Sequence, residues 1–375
     1  MRTTKIILPH PLAQSVLACG SQTKNTLCFV SGARAYVSDV HQDMTVLTDR
    51  SLFEKDAAYF LRKHPHRIAC DMHPDYTATK FAHTSASAGK LRLVEVQHQH
   101  AHIVSCMVDN GVGNRKVIGV AFDGTGFGAD ATLWGGELLL CDYRAYHRLA
   151  HIAGVPLLGG AQAIRQPWRL AFVWLERAYG TKMFRLPLKI MKRVYCRNWE
   201  VLTRMREHAM NAPITTSAGR LFDAAASIIL DAPIAEGEAA LAIALEASAR
   251  RSRTKPAAYP WALVKDPQGV LIIDPVALIA AIVRDIRSGK KKEDIALCFH
   301  ETIAAIIERT CSGVRRTTGV ELVALSGGVF QNSLLRERAQ EKLQKKGFRV
   351  LTHRVVPCSD AGISIGQAVI AGSSR

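Results

Sequence analysis

Two histidines four residues apart give the strongest chemical signal in the sequence. In the segment Gln97 to His102, His98 and His102 follow an apolar stretch that predicts a buried strand, and their spacing places both imidazoles on one helix face. Two imidazoles so placed can bind one cation, although a helix start with incidental histidines gives the same pattern. His100 is expected to point elsewhere. The segment therefore predicts part of a metal site.

A third metal ligand is expected near the carboxyl terminus. Asp360 lies between the last predicted strand and the last predicted helix, which is the place that His98 takes earlier in the order of elements. A carboxylate at this place could equally be an ordinary N-cap. Two neutral imidazoles and a carboxylate suit Zn or Fe(II), whereas Mg is less natural with nitrogen ligands. The sequence thus predicts a divalent metal, Fe, Zn or Mg, held by His98, His102 and Asp360.

Glycine-rich turns after apolar stretches could contact a nucleotide. The turn Asp123 to Gly128 follows the predicted strand Val117 to Phe122, and its glycines leave backbone N–H groups open to phosphate oxygens. Asp123 could orient a metal-bound water or a phosphate-bound metal. Gly20 with Lys24, Asn25 and Thr26 forms a matching earlier turn, where Lys24 could neutralise a phosphate or be an ordinary surface lysine. Each turn could also be only a turn.

Paired glycines near the end of the chain could also approach a nucleotide. Gly327 and Gly328 follow the predicted strand Leu322 to Leu325, and the helix after them begins near Asn332. Asn332 is either the N-cap of that helix or a polar contact to the ligand.

The elements that would position these residues occur twice. The first set comprises strands at 16–18, 27–31, 34–40, 67–71 and 91–96, with helices at 52–62, 74–83 and 98–108. The second set comprises strands at 117–122, 133–140, 146–152, 322–325 and 348–352, with helices at 294–309, 333–345 and 362–371. The repeated order predicts a duplicated α/β fold, similar to the actin, sugar-kinase and heat-shock-ATPase superfamily, with two mixed-sheet lobes around a nucleotide cleft. We expect an N-terminal lobe at 1–113 and a C-terminal lobe at 114–375, with a mainly helical insertion at about 154–288.

Composition limits the class of protein and its partners. The 375 residues are 48% hydrophobic and 22% charged, which is typical of a globular protein large enough for two lobes. A formal charge of +17 would attract nucleotides, RNA or an acidic partner, and we favour a solvated basic face over an RNA track. Nine cysteines without a C-x-x-C pair indicate reduced thiols and a cytoplasmic protein. Without a run of 18 apolar residues, no membrane span is expected.

The ordered motifs together resemble the hydrogenase-maturation carbamoyltransferase family. The segments that carry the resemblance are Leu17 to Gly20 with Lys24 to Thr26, Asp71 to Tyr76, Val96 to His102, Asp123 to Gly128 with Leu133 to Glu137, Gly219 to Asp223, and Ser326 to Asn332. The resemblance implies the transferase half, which is similar to the universal tRNA threonylcarbamoyl-transferase fold. That half moves a carbamoyl group from carbamoyl-adenylate to the C-terminal cysteine of a partner maturation protein, and the product becomes a cyanide ligand of the hydrogenase iron.

The resemblance also implies roles for particular residues. His98, His102 and Asp360 would hold the metal, and Asp123 and Lys24 would be catalytic. ATP, AMP or carbamoyl-adenylate would contact Gly20, Lys24, Asn25, Asp123, Gly124, Gly126, Gly219, Asp223, Glu236, Gly327, Gly328 and Asn332.

Three departures from the family pattern affect these expectations. We expect the acylphosphatase, zinc-finger and donor-activating domains of the family to be missing here, in which case another polypeptide could supply the donor. Ala161 stands where members often have Asp, and Glu238 stands where Gln is common, so specificity could differ. Small-molecule O-carbamoyl transfer, tRNA threonylcarbamoyl transfer and a non-catalytic docking remnant remain the alternatives.

Overall fold

The computed structural model describes residues 2–191 and 199–374. Cys196 and the middle of the basic run Arg185 to Arg206 lie outside these ranges. The chain has the predicted α/β fold, with two mixed sheets and helices packed on their faces. Within the described ranges, no helix combines the length and the apolar character needed to cross a membrane.

The first sheet and the helices that connect its strands follow the order predicted for the first repeat. Its strands are β1 (Thr3–Ala18), β3 (Cys28–Ser38), β5 (Arg67–Asp71) and β6 (Arg92–Val96), and its small companion hairpin is β2 (Thr23–Asn25) with β4 (His41–Asp43). The helices are α1 (Leu47–Leu61), α2 (Thr77–Gly89) and α3 (His98–Asp109). The sheet order is β3-β1-β5-β6, in which β1 and β3 are antiparallel and the other pairs are parallel.

Two strand predictions in this region were wrong. The stretches 27–31 and 34–40 form the single strand β3, because Gly32 adopts a positive φ of 59° at a register shift and bends the strand without ending it. The strand predicted at 16–18 begins at Thr3. Pro9 and Pro11 lie where its pairing with β3 shifts register, so they do not interrupt the ladder.

The second sheet repeats this order within a larger assembly. Its strands are β7 (Val117–Phe127), β8 (Leu133–Cys141), β9 (Tyr146–Ile152), β10 (Val155–Pro156), β11 (Ile214–Thr215), β12 (Ala262–Lys265), β13 (Leu271–Asp274), β14 (Leu322–Ser326) and β15 (Arg349–Leu351). The sequence β8-β7-β14-β15 reproduces β3-β1-β5-β6, with one antiparallel pair followed by two parallel pairs. This agreement supports the predicted duplication.

Helices cover this sheet and fill most of the predicted insertion. They are α4 (Ala161–Arg165), α5 (Trp168–Tyr179), α6 (Trp199–Glu207), α7 (Ala218–Leu230), α8 (Ala240–Ala249), α9 (Val276–Arg287), α10 (Lys292–Thr318), α11 (Ser333–Lys345) and α12 (Ile363–Ser373). Short 3-10 turns occupy Gly180–Arg185, Gly328–Gln331 and Asp360–Gly362. The insertion is not only helical, because β13 pairs with β9 and carries β12, which extends the sheet.

The last helix of each repeat packs against the other, α3 against α12. A Cβ built on Gly366 would lie 2.0 Å from the carbonyl oxygen of Ala101, so only glycine permits this approach. The Ser105 hydroxyl donates to the Gly362 carbonyl at 2.7 Å. These contacts hold the starts of the two helices side by side. The boundary between lobes at residues 113 and 114 stays a prediction.

Candidate metal centre and adjoining turns

Four side chains converge where α3, β7 and the 3-10 turn before α12 meet. One nitrogen or oxygen atom from each of His98, His102, Asp123 and Asp360 lies within 4.8 Å of the others. Asp123 Oδ2 is 3.4 Å from His98 Nε2 and 3.6 Å from His102 Nε2. Asp360 Oδ1 is 3.6 Å from both nitrogens. The three residues predicted as ligands therefore lie together, and Asp123 joins them.

The atoms that face the centre of this cluster lack ordinary partners. His98 Nε2, His102 Nε2 and Asp123 Oδ2 are buried and make no hydrogen bond within the described residues. An unsatisfied buried polar group costs about 1–3 kcal/mol, so three such atoms at one point call for a ligand. Imidazole and carboxylate groups fit a divalent transition metal there. Asp360 does not cap α12, whose N-cap is Gly362.

Asp71 holds the first histidine in place, a role that the sequence interpretation missed. Its Oδ2 lies 2.6 Å from His98 Nδ1, and both side chains are fully buried. This contact directs Nε2 toward the cluster, as outer carboxylates commonly do for metal-binding histidines. A buried acid at the end of β5, next to the strand that leads into α3, was the available sequence signal.

The charges of the cluster shift one another's ionisation. Burial alone would lower the pKa of His98, but Asp71 and Asp360 outweigh it and raise that pKa well above its usual value. Burial would raise the pKa of Asp123, yet His102 and His98 hold it well below the usual range. Burial would also raise the pKa of Asp360, but His98 and His102 lower it below its usual value. The protonation state of each imidazole and carboxylate in the cluster thus depends on the charges of the others.

The prediction of a turn from Asp123 to Gly128 was wrong, because β7 continues to Phe127 and only shifts its pairing with β8 between Phe122 and Gly126. This bulged segment, called the Asp123 turn below, is built for close approach. The Ser217 hydroxyl lies 2.6 Å from the carbonyl oxygen of Asp123 and 2.8 Å from that of Gly124, which fixes the start of α7 to this turn. A Cβ on Gly219 would lie 2.9 Å from Gly124 Cα. A Cβ on Gly126 would lie 2.4 Å from the amide nitrogen of Gln99. The predicted residues Gly124, Gly126 and Gly219 therefore lie next to the cluster.

The paired glycines after β14 are joined to the same turn. Gly328 N–H donates to Asp123 Oδ1 at 2.9 Å, so one carboxylate links this segment to the cluster. Gly327 has a φ of 102°, and a Cβ there would lie 2.2 Å from the carbonyl oxygen of Phe122. Asn332 is the N-cap of α11, accepting from Leu335 N–H, and its amide nitrogen lies 2.9 Å from His300 Nε2. Asn332 thus uses both ends of its amide within the protein.

The earlier turn is held mainly by internal bonds. The Asn25 amide donates to the carbonyl oxygens of Cys19 and Ser21, each at 2.6 Å, and Gly20 exchanges two hydrogen bonds with Gln367. Lys24 is paired at 2.8 Å with the exposed Glu238.

The remaining predicted contacts differ in their surroundings. Asp223 is buried and pairs with Arg220 at 3.2 Å, and burial raises its pKa despite this partner. Glu236 is exposed between α7 and α8. The nucleotide contacts assigned to these residues stay predictions.

Comparison with known protein families agrees with this geometry. The family described as HypF Kae1-like domain matches residues 11–109, and the one described as carbamoyltransferase, Kae1-like domain, second subdomain, matches residues 119–367. The chain belongs to the HypF carbamoyltransferase family. The match places it among enzymes of the carbamoyltransferase type and confirms the resemblance inferred from the motifs.

The HypF proteins to which the chain is similar differ in how much of their own length it spans. It is 33% identical to a carbamoyltransferase HypF homolog of Cupriavidus necator, over 95% of this chain and 91% of that protein. It is 34% identical to carbamoyltransferase HypF of Synechocystis over 96% of this chain, but only 48% of that protein. The chain thus spans about half the length of this second relative.

Solved HypF structures have the same fold. A full-length HypF in a phosphate- and nucleotide-bound form superposes with a TM-score of 0.90 at 33% identity, over 98% of this chain and 57% of that one. HypF of T. kodakarensis gives 0.84 at 28% identity, over 98% and 49%.

Proposed function

We propose that this chain transfers a carbamoyl group from carbamoyl-adenylate to the C-terminal cysteine thiolate of a partner hydrogenase-maturation protein. The observation that carries the proposal is the buried cluster of His98, His102, Asp123 and Asp360 beside two glycine turns, in a chain of the HypF family. Of the four, Asp360 leaves 19% of its side chain exposed, so substrates would approach the cluster from its side.

The reaction needs a nucleophile and a good leaving group. The partner's thiolate attacks the carbamoyl carbon, a C–S bond forms, and the C–O bond to the adenylate phosphate breaks with the electron pair leaving on AMP. His98, His102, Asp123 and Asp360 would hold a divalent cation, which supplies Lewis-acid stabilisation of negative charge when bound. No cysteine of this chain is required, and the eight described cysteines are free thiols.

The chain's own residues would position the donor. Asp123 holds Gly328 N–H through one oxygen, which keeps the 327–328 turn against the cluster. Gly124 leaves room for a phosphate beside the turn, and Lys24 would approach the donor from the opposite lobe. We propose that the protein works in the cytoplasm.

Mass spectrometry tests the transfer directly. The metal-loaded chain is incubated with carbamoyl-adenylate and a partner ending in cysteine, and the intact mass of the partner should rise by one carbamoyl group. A partner whose terminal cysteine is replaced by alanine is the control and should stay unmodified. An unmodified cysteine partner with a folded, metal-loaded chain would contradict the proposal.

A further inference from the structure

Arg220 lies in the first turn of α7, beside the candidate metal centre. Ser217, the N-cap of α7, accepts from Arg220 N–H at 3.2 Å with the same hydroxyl that binds the Asp123 and Gly124 carbonyl oxygens. The backbone of Arg220 is therefore fixed relative to Asp123, a member of the cluster. The position of this backbone is set by the hydrogen bonds of Ser217 and not by contacts of the Arg220 side chain.

The guanidinium of Arg220 is buried but only partly used by the protein. Ninety per cent of the side chain is buried, and Nη2 lies 3.2 Å from Asp223 Oδ2. Nε and Nη1 are buried and have no hydrogen-bond partner among the described residues. A guanidinium offers five N–H donors in a fixed plane, so a single ion pair leaves most of its binding capacity free. Burying such donors is unfavourable unless an acceptor reaches them.

Open space adjoins this guanidinium at the glycine turn. Apart from its chain neighbours, Arg220 Nη2 is the only described heavy atom within 4 Å of a Cβ built on Gly124, at 3.5 Å. Gly126, two residues on, is different, because Gln99 would lie 2.4 Å from its Cβ. Because Gly124 has no side chain, there is room between the turn and the buried guanidinium of Arg220.

We infer that Arg220 binds an oxyanion group of a substrate at the Gly124 turn. Planar guanidinium groups bind carboxylates and phosphates through two parallel hydrogen bonds. The edge formed by Nη1 and Nη2 can do so, because Nη1 is free and Nη2 carries a second hydrogen besides the one that faces Asp223. The identity of the oxyanion rests on the proposed function, in which two candidates reach this site. These are the phosphate of the adenylate donor and the terminal carboxylate of the acceptor cysteine. Either would place its reacting group next to the cluster.

Calorimetric titration of the full, metal-loaded chain tests the inference. The probes are AMP and two short peptides that end in cysteine, one with a free terminal carboxylate and one with a terminal amide. Arg220→Gln should weaken binding about 10- to 100-fold for the probe that carries the recognised group. A loss confined to AMP identifies phosphate, and a loss confined to the free-carboxylate peptide identifies the terminal carboxylate.

A matched variant separates the loss of this guanidinium from the general effect of removing an arginine. Arg284→Gln alters an exposed arginine on α9, with 71% of its side chain exposed, and should change nothing. Thermal unfolding of each variant reports whether the fold is intact.

Two outcomes would overturn the inference: affinities of Arg220→Gln within twofold of the parent, or a parent that binds none of the probes. Failure of carbamoyl transfer with binding intact would instead count against the proposed function alone.

Discussion

The two glycine segments that the sequence predicts as matching turns of the duplicated fold have opposite hydrogen-bonding states. At the turn of residues 20–26, Asn25 and Gly20 direct their polar atoms to the chain itself, and Thr26 donates to the Ala361 carbonyl oxygen at 2.9 Å. At the turn of residues 123–128, Asp123 Oδ2 and two nitrogens of the adjacent Arg220 are buried without partners.

This difference indicates which segment stabilises the fold and which one binds a ligand. A turn whose polar groups are satisfied internally contributes to stability and gains little from a ligand. A turn surrounded by buried, unsatisfied groups remains unfavourable until a ligand supplies the missing contacts. The repeated architecture thus provides two similar segments. We expect the second to bind cation and substrate, and the first, apart from its Lys24 side chain, to hold the lobe in shape.

Removal of a direct ligand should give the largest effect. His102→Ala deletes one of the unsatisfied nitrogens, so we expect Zn affinity to fall by more than about 100-fold, beyond the loss typical of outer partners. Competition with a chelating dye measures the change. His100→Ala is the control, because His100 bonds to the Asp142 carbonyl oxygen outside the cluster. Parent-like metal binding by His102→Ala would contradict the assignment of the site.

Loss of the outer carboxylate should have the next largest effect. Asp71→Asn keeps the size of the side chain but removes the charge beside His98, and we expect Zn affinity to fall about 10- to 100-fold. Asp75→Asn, four residues on and exposed, should bind as the parent does. Equal affinities for the parent and Asp71→Asn would mean that the buried acid only packs against the histidine.

The first turn should respond in stability and not in metal binding. Asn25→Ala removes two buried hydrogen bonds, so the free energy of unfolding should fall by about 1–3 kcal/mol. Urea denaturation measures this fall, and Zn affinity should stay within about threefold of the parent. Unchanged stability with impaired donor binding would instead make Asn25 a ligand contact and break the comparison.

Lys24 should show the smallest effect on stability. Its ion pair with Glu238 is solvent-exposed, so Lys24→Ala should change the free energy of unfolding by less than about 1 kcal/mol. If the side chain reaches the donor phosphate, the KM for carbamoyl-adenylate should still rise about 10-fold. Lys80→Ala removes a comparable exposed pair with Asp75 and should leave the KM unchanged. An unchanged KM in Lys24→Ala would remove this residue from the proposed donor site.

Local patterns in the sequence predicted most of the architecture. The strand at Tyr146–Ile152 and the helix that begins at His98 appear as expected, because alternating or helical apolar spacing reports directly on burial. The His98 and His102 pair follows from helix periodicity alone. Gly32 and the prolines of β1 misled the prediction, since local breakers do not reveal that a neighbouring strand can accommodate a bulge.

The sequence by itself determined which residue types were present and that an α/β unit occurs twice. Only the tertiary structure decided that Asp123 completes the cluster, that Asp71 orients His98, and that Arg220 is buried with free donors. The physical reason is that these properties depend on distances between remote segments and on the removal of water. Helix and strand periodicity constrains neighbours along the chain, whereas the close packing of Gly366 against Ala101 brings the two halves of the site together.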